Sequence, residues 1–197
     1  MIKKPVLIAV TGGIGSGKTF FTEILKEKGF SVVSCDQIAR EIFEYRFVKK
    51  KLKKLFPSAV SGKIFLKVDR KKISDIVFVD KDALSRLNAL THPIIVDETI
   101  KRAKKLKSPV FVEVPLLFEG NYAHLFDKTV VVMRDKNARI ESVVSRSNLS
   151  YLEVVSRMNN QVDYDSLDLS PYIVINNDGS RESLESQLYA MLQKIYE

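Results

Sequence analysis

Eight consecutive residues, Gly12-Gly13-Ile14-Gly15-Ser16-Gly17-Lys18-Thr19, spell G-x-x-x-x-G-K-[ST]. That string constrains what stands on either side of it. Glycines let successive backbone N–H groups curl around an anion, but only where a strand delivers the loop and a helix carries it away. The flanks meet that demand. Residues 5–10 form a continuous apolar run suited to a strand buried on both faces. Phe20, Phe21, Ile24 and Leu25 recur on one helical face before Gly29 stops the helix. The segment is therefore expected to bind a nucleoside triphosphate. Gly12, Gly13, Ile14, Gly15, Ser16 and Gly17 would cradle the phosphates, with Phe20 among the nucleotide contacts. Lys18 would reach the β- and γ-phosphates, and the Thr19 hydroxyl would hold Mg²⁺. The plainer alternative is a glycine-rich turn followed by an exposed lysine.

Four further runs, at residues 31–34, 110–114, 129–133 and 172–175, are short, nearly continuous in apolar residues and rich in β-branched ones. With helical crossovers between them they predict an α/β three-layer sandwich around a five-stranded parallel sheet. The chain is expected to be one domain over residues 1–197, with a helical substrate insertion at about 36–108 and a lid at about 135–165. The first insertion reads as helical throughout, broken at Pro57-Ser58, at Gly62 and at His92-Pro93. Both insertions leave from the carboxyl ends of strands, where open α/β sheets bind ligands.

No apolar stretch approaches the roughly 20 residues of a membrane helix, and Met1-Ile2-Lys3-Lys4 leaves no room for a secretory signal before the first strand. One cysteine, Cys35, excludes an internal disulfide, fits a reducing cytoplasm and reads as a small buried residue. The net charge of +8 fits nucleic acid or a polyanionic small substrate. Its lysine runs, at 49–54, 71–72 and 101–107, carry Leu or Ile at helical spacing without interleaved aromatics. That favours solvated helix faces over a nucleic-acid surface. Nothing in the sequence specifies an oligomeric state.

Asp36, just beyond the second strand, could orient an acceptor hydroxyl and take its proton, or could simply cap the helix begun at Gln37. Glu113 ends the third strand, where an acid can join a Mg²⁺ shell, and so buried a carboxylate needs a partner. Glu119 follows as a cap or ligand contact. His92 precedes Pro93, which biases it away from helical geometry. Arg139, Arg146 and Arg157 lie in the second insertion, as cations that could clamp a moving phosphoryl group. No cysteine–histidine cluster suggests zinc.

Taken in order, these residues resemble one family, the dephospho-coenzyme A kinases. The phosphate loop with Thr11, Cys35-Asp36-Gln37-Ile38-Ala39-Arg40, Leu87 through His92-Pro93, Val114-Pro115-Leu116-Leu117-Phe118-Glu119, Arg157 through Gln161, and Asn176-Asn177 follow the family's sequence of motifs. The resemblance implies a P-loop, nucleotide-kinase-like fold and phosphorylation by ATP of the ribose 3′-hydroxyl of dephospho-coenzyme A. It implies that Asp36 is the base or orienter, that Arg40 and His92 lie on the substrate side, and that Arg146 is a lid arginine. Two positions depart from the family. Ser34 stands where an aspartate is common, and Ser142 replaces the first arginine of an R-x-x-x-R lid, with Arg139 the expected compensation. Another kinase of this fold is the nearest rival. A GTP switch is disfavoured by the absence of N/T-K-x-D and D-x-x-G strings, and a nucleic-acid-stimulated ATPase rests on charge alone.

Overall fold

The computed structural model describes residues 4–196, so the expectation drawn from Met1, Ile2 and Lys3 lies outside the described residues. In chain order the elements begin with β1 (Leu7–Thr11), α1 (Lys18–Glu27), β2 (Ser31–Ser34), α2 (Cys35–Glu41) and α3 (Arg46–Leu55). Then come β3 (Val60–Ser61), β4 (Lys67–Val68), α4 (Arg70–Val79) and α5 (Lys81–Ala103). The chain closes with β5 (Val110–Glu113), β6 (Lys128–Met133), α6 (Lys136–Arg146), α7 (Tyr151–Asn159), β7 (Ile173–Asn176) and α8 (Arg181–Tyr196).

β1 is buried at all five positions and sits mid-sheet, which explains its unbroken apolar run. The five-stranded sheet has the order β2-β5-β1-β6-β7, every pair parallel, as expected. Its register places Val10 beside Glu113 and Ser34 beside Glu113, so the ends of three strands converge there. Phe21, Ile24 and Leu25 of α1 and Leu184, Leu188 and Met191 of α8 share one core with Ile8, Phe111, Val130 and Ile175. Phe30 meets Phe111 edge-on, with ring centroids 5.6 Å apart.

The chain divides into two compact units, Cys35–Lys101 and the remainder. The smaller unit buries Ile38, Ile42, Val48, Leu52, Phe56 and Ile73. The lysine run on α3 behaves as a solvated face: Val48 and Leu52 turn inward, while Lys49 pairs with Glu44 at 2.8 Å. The third lysine run is helical only as far as Ala103, and Lys104, Lys105 and Lys107 lie exposed beyond it.

Three local expectations fail. The first insertion is not wholly helical, because β3 and β4 form a small antiparallel hairpin around Gly62, whose φ of 88° requires glycine. The helix does not break at His92-Pro93; α5 runs through Pro93 for 23 residues. Proline removes one hydrogen bond, the one an N–H at position 93 would donate to the Ala89 carbonyl, and the rest of a 23-residue helix carries the chain through. Phe20 does not join the apolar face of α1. It stays 40% exposed while Phe21, Ile24 and Leu25 are fully buried.

The core should respond to truncation according to burial. Phe111→Ala, at a fully buried site, should lower the free energy of unfolding by about 3–5 kcal/mol. Val174→Ala on edge strand β7, 43% exposed, should cost no more than about 1 kcal/mol. Urea unfolding of both variants measures the difference.

Candidate functional site

The loop between β1 and α1 turns at Gly17, the N-cap residue of α1, which adopts the left-handed conformation at φ 87°. The side-chain amide of Asn177 donates to the Ser16 carbonyl at 2.8 Å and occupies the space a Cβ on Gly17 would need. The Ile14 N–H donates to Gln161 Oε1 at 2.7 Å. Lys18 folds back so that its ammonium donates to the Gly12 and Gly13 carbonyls at 2.6 and 3.0 Å. A lysine placed so, at a helix N-terminus, gives the loop a concentrated positive charge. The Ser16 hydroxyl is buried without a hydrogen-bond partner among the described residues.

Glu113 is 7% exposed, and its expected partner is Thr19, whose hydroxyl donates to Glu113 Oε1 at 2.7 Å. This joins the first turn of α1 to the end of β5. Two adjacent oxygen donors, a hydroxyl and a carboxylate, fit Mg²⁺, which takes few protein ligands and keeps phosphate oxygens and waters. Among the described residues no cluster of three or more His, Cys, Asp or Glu could hold a metal by itself.

Beyond the loop opens a cavity of about 440 Å³. Gly15, Gly17, Lys18, Thr19 and Phe20 line one side; Ser142 and Arg146 of α6, and Asn177, Asp178 and Gly179 after β7, line the rest. The exposure of Phe20 is thus toward this cavity. Arg134, the residue after β6, lines it as well and was not singled out in the sequence. Its only sequence signal is its place at the carboxyl edge of the sheet. The loops are tied together there, since the Asp135 N–H donates to Asp178 Oδ1 at 2.8 Å.

The three arginines of the second insertion separate. Arg146 reaches the cavity. Arg139 does not: it is 5% exposed, packs against Gly13, and donates from Nη2 to Asp165 Oδ2 at 2.7 Å. Three residues of helix carry it about 4.5 Å along the axis from Ser142, beneath the loop rather than beside the cavity. The compensation expected of Arg139 is therefore corrected. Arg157 lies exposed on α7, outside the residues lining this cavity. Residues 161–165 instead grip the loop. The buried Tyr164 hydroxyl lies 3.1 Å from Thr11 Oγ1, and burial pushes its pKa up to about 12. Glu119 accepts the Val162 N–H at 3.0 Å, which ties the segment after β5 to the segment after α7.

In the smaller unit, Asp36 stands inside the first turn of α2, because the helix starts at Cys35; the capping role before Gln37 is corrected accordingly. Asp36, Arg40, Phe43, Arg70, Ile73 and Leu87 line a second cavity of about 520 Å³. Arg70 lies over the Phe43 ring at 5.3 Å and donates to the Arg40 carbonyl at 2.7 Å, which stiffens one wall. His92 is half-buried on α5 and is not among that cavity's lining residues. Cys35 is only partly buried, its sulfur 3.5 Å from the Thr99 hydroxyl.

Because Arg139 is committed to Asp165, its truncation should act on stability. Arg139→Ala should cost about 1–3 kcal/mol, whereas exposed Arg157→Ala should stay within about 0.5 kcal/mol. Denaturant midpoints of the two variants provide the check, and equal midpoints would contradict the assignment.

The comparisons agree with this geometry. The dephospho-CoA kinase family model matches residues 6–183. A dephospho-CoA kinase of Thermus thermophilus is 34% identical over 194 residues, covering 98% of this chain and 93% of the relative. A crystal structure of a Thermus thermophilus protein superposes with a TM-score of 0.83 at 34% identity, covering 98% of both chains. The dephospho-CoA kinase of Campylobacter jejuni gives a TM-score of 0.70 at 29% identity, with 96% of each chain covered. A phosphate loop closed by glycine, a Thr19–Glu113 pair beneath it and a match along nearly the whole length place one conclusion beyond the fold: the chain belongs to the dephospho-CoA kinase family.

Proposed function

We propose that this protein transfers the terminal phosphoryl group of ATP to the ribose 3′-hydroxyl of dephospho-coenzyme A, giving coenzyme A and ADP in the final step of coenzyme A synthesis. The observation that carries this reading is the cavity where the phosphate loop, Lys18, Thr19 and Arg146 meet. Phosphoryl transfer leaves a protein little covalent work; positioning and charge stabilisation supply the rate. Lys18 would exchange its two loop carbonyls for the β- and γ-phosphate oxygens, exchanging one set of oxygen acceptors for another. Arg146 would neutralise charge that spreads over the moving phosphoryl group. Thr19 and Glu113 would hold Mg²⁺, which when bound neutralises charge on the β- and γ-oxygens.

On the acceptor side we assign Asp36 to orient the 3′-hydroxyl and accept its proton. Arg40 shares its cavity and would meet an anionic group of the acceptor. His92 is kept on the substrate side through the family motif alone. The net charge of +8 suits two polyanionic substrates, and we assign no nucleic-acid partner. A single partly buried cysteine supports a cytoplasmic setting. Among the described residues no helix is long and apolar enough to cross a membrane.

ADP release should be fast with dephospho-coenzyme A and slow with adenosine or nucleoside monophosphates as acceptors; the reverse order would favour another kinase of this fold. Asp36→Asn should lower kcat by roughly 10²–10⁴-fold at nearly unchanged ATP affinity and melting temperature. A stable Asp36→Asn protein with more than about a third of wild-type kcat would remove the catalytic assignment. Arg146→Ala should reduce kcat more than it weakens ATP binding, as a contact stronger in the transition state would. Steady-state kinetics and calorimetric ATP titration separate the two effects.

A further inference from the structure

The phosphate cavity contains a cation that neither the glycine loop nor the lid pattern accounts for. Arg134 is the first residue beyond β6, and the chain is fixed on both sides of it. Met133 pairs with Asn176 of β7, and the Asp135 N–H is held by Asp178 Oδ1 at 2.8 Å. The side chain lines the same cavity as Lys18, Thr19, Ser142 and Arg146. Its Nε is buried away from water and has no hydrogen-bond partner among the described residues. A buried guanidinium N–H without an acceptor is costly, and such groups are commonly explained by a ligand that supplies one.

The charge balance of the cavity points the same way. Among the described residues that line it, Asp178 is the only acidic one, and one of its oxygens is already taken by the Asp135 N–H. Ser142, one turn before Arg146 on α6, faces the cavity without charge. Arg139, the other arginine near the loop, gives its Nη2 to Asp165, and although its Nε also has no partner among the described residues, it is not among the residues that line this cavity, as Arg134 is. We propose that Arg134 binds the polyphosphate chain of ATP, supplying from the end of β6 the second guanidinium that α6 lacks at Ser142. The planar fork of arginine suits a phosphate with two parallel donors, which a lysine at the same place would not match. This inference rests on the reading of the cavity as the ATP site, and it adds a residue to the donor-binding machinery.

Calorimetric titration of wild-type protein, Arg134→Ala, Arg134→Lys and the double variant Arg134→Ala/Ser142→Arg with ATP, ADP and adenosine tests it. Arg134→Ala should weaken ATP and ADP at least about tenfold, the size expected for a lost hydrogen bond to a charged group, and leave adenosine unaffected. Arg134→Lys should recover only part of the loss, and Ser142→Arg should recover affinity in the Arg134→Ala background. Unchanged ATP affinity in Arg134→Ala would overturn the proposal. So would equal losses for adenosine and ATP, which signify stacking on the base or a displaced loop. Wild-type protein that fails to bind ATP would overturn the donor-site reading itself, a result distinct from either of these.

Discussion

A phosphate loop works by leaving backbone N–H groups unpaired, so its shape has to be held from outside. This requirement organises the larger unit of the molecule. Asn177 holds the Ser16 carbonyl from the end of β7, and Gln161 holds the Ile14 N–H from the segment after α7. Tyr164 reaches Thr11 where the loop begins, and Arg139, fixed by Asp165, packs against Gly13. Residues 161–165 thus belong to the loop's support, although they lie far from it in sequence. Backbone amides aimed at an anion cost little reorganisation when the anion arrives, which is the physical content of preorganisation.

The same economy governs the charges. A carboxylate at the end of a buried strand would be expensive alone, yet Glu113 is tolerated because the Thr19 hydroxyl meets it. That hydrogen bond fixes the first turn of α1 against β5 and keeps a hydroxyl and a carboxylate oxygen side by side. Lys18 is held on carbonyl oxygens in the meantime, so its charge is already desolvated in the direction of the loop. Tyr164, a neutral phenol that burial moves still further from ionisation, supports the loop without adding charge.

The sheet was legible because its signal is strong: β-branched runs buried on both faces are hard to mistake, and the five strands fall within about two residues of their expected ends. The phosphate loop was legible for a similar reason, since glycine, lysine and threonine at that spacing have one common use. What failed depends on contacts between distant residues. The β3–β4 hairpin has strands of two residues each, too short to show periodicity. Pro93 biases the backbone locally, and the packing and hydrogen bonding of a 23-residue helix override that bias. Phe20 shares its apolar character with Phe21, and only the three-dimensional site shows that one faces the cavity and the other the core.

The arginines carry the general lesson. On a helical wheel Arg139, Ser142 and Arg146 share one side of α6, so angular position alone makes Arg139 a reasonable stand-in for a missing cation at Ser142. Angular position is only half of a helix coordinate. The axial rise sets Arg139 below the loop, where a charge survives burial by pairing with Asp165. Arg134 lies on no helix and shares no spacing with the lid residues, yet the end of β6 opens directly into the cavity. A bound polyphosphate selects for positive potential at a point in space, and any element that reaches that point can provide it. Sequence spacing therefore identifies the loop, whose atoms are contiguous, better than it identifies the cations around the cavity, which come from the end of a strand and from two helices.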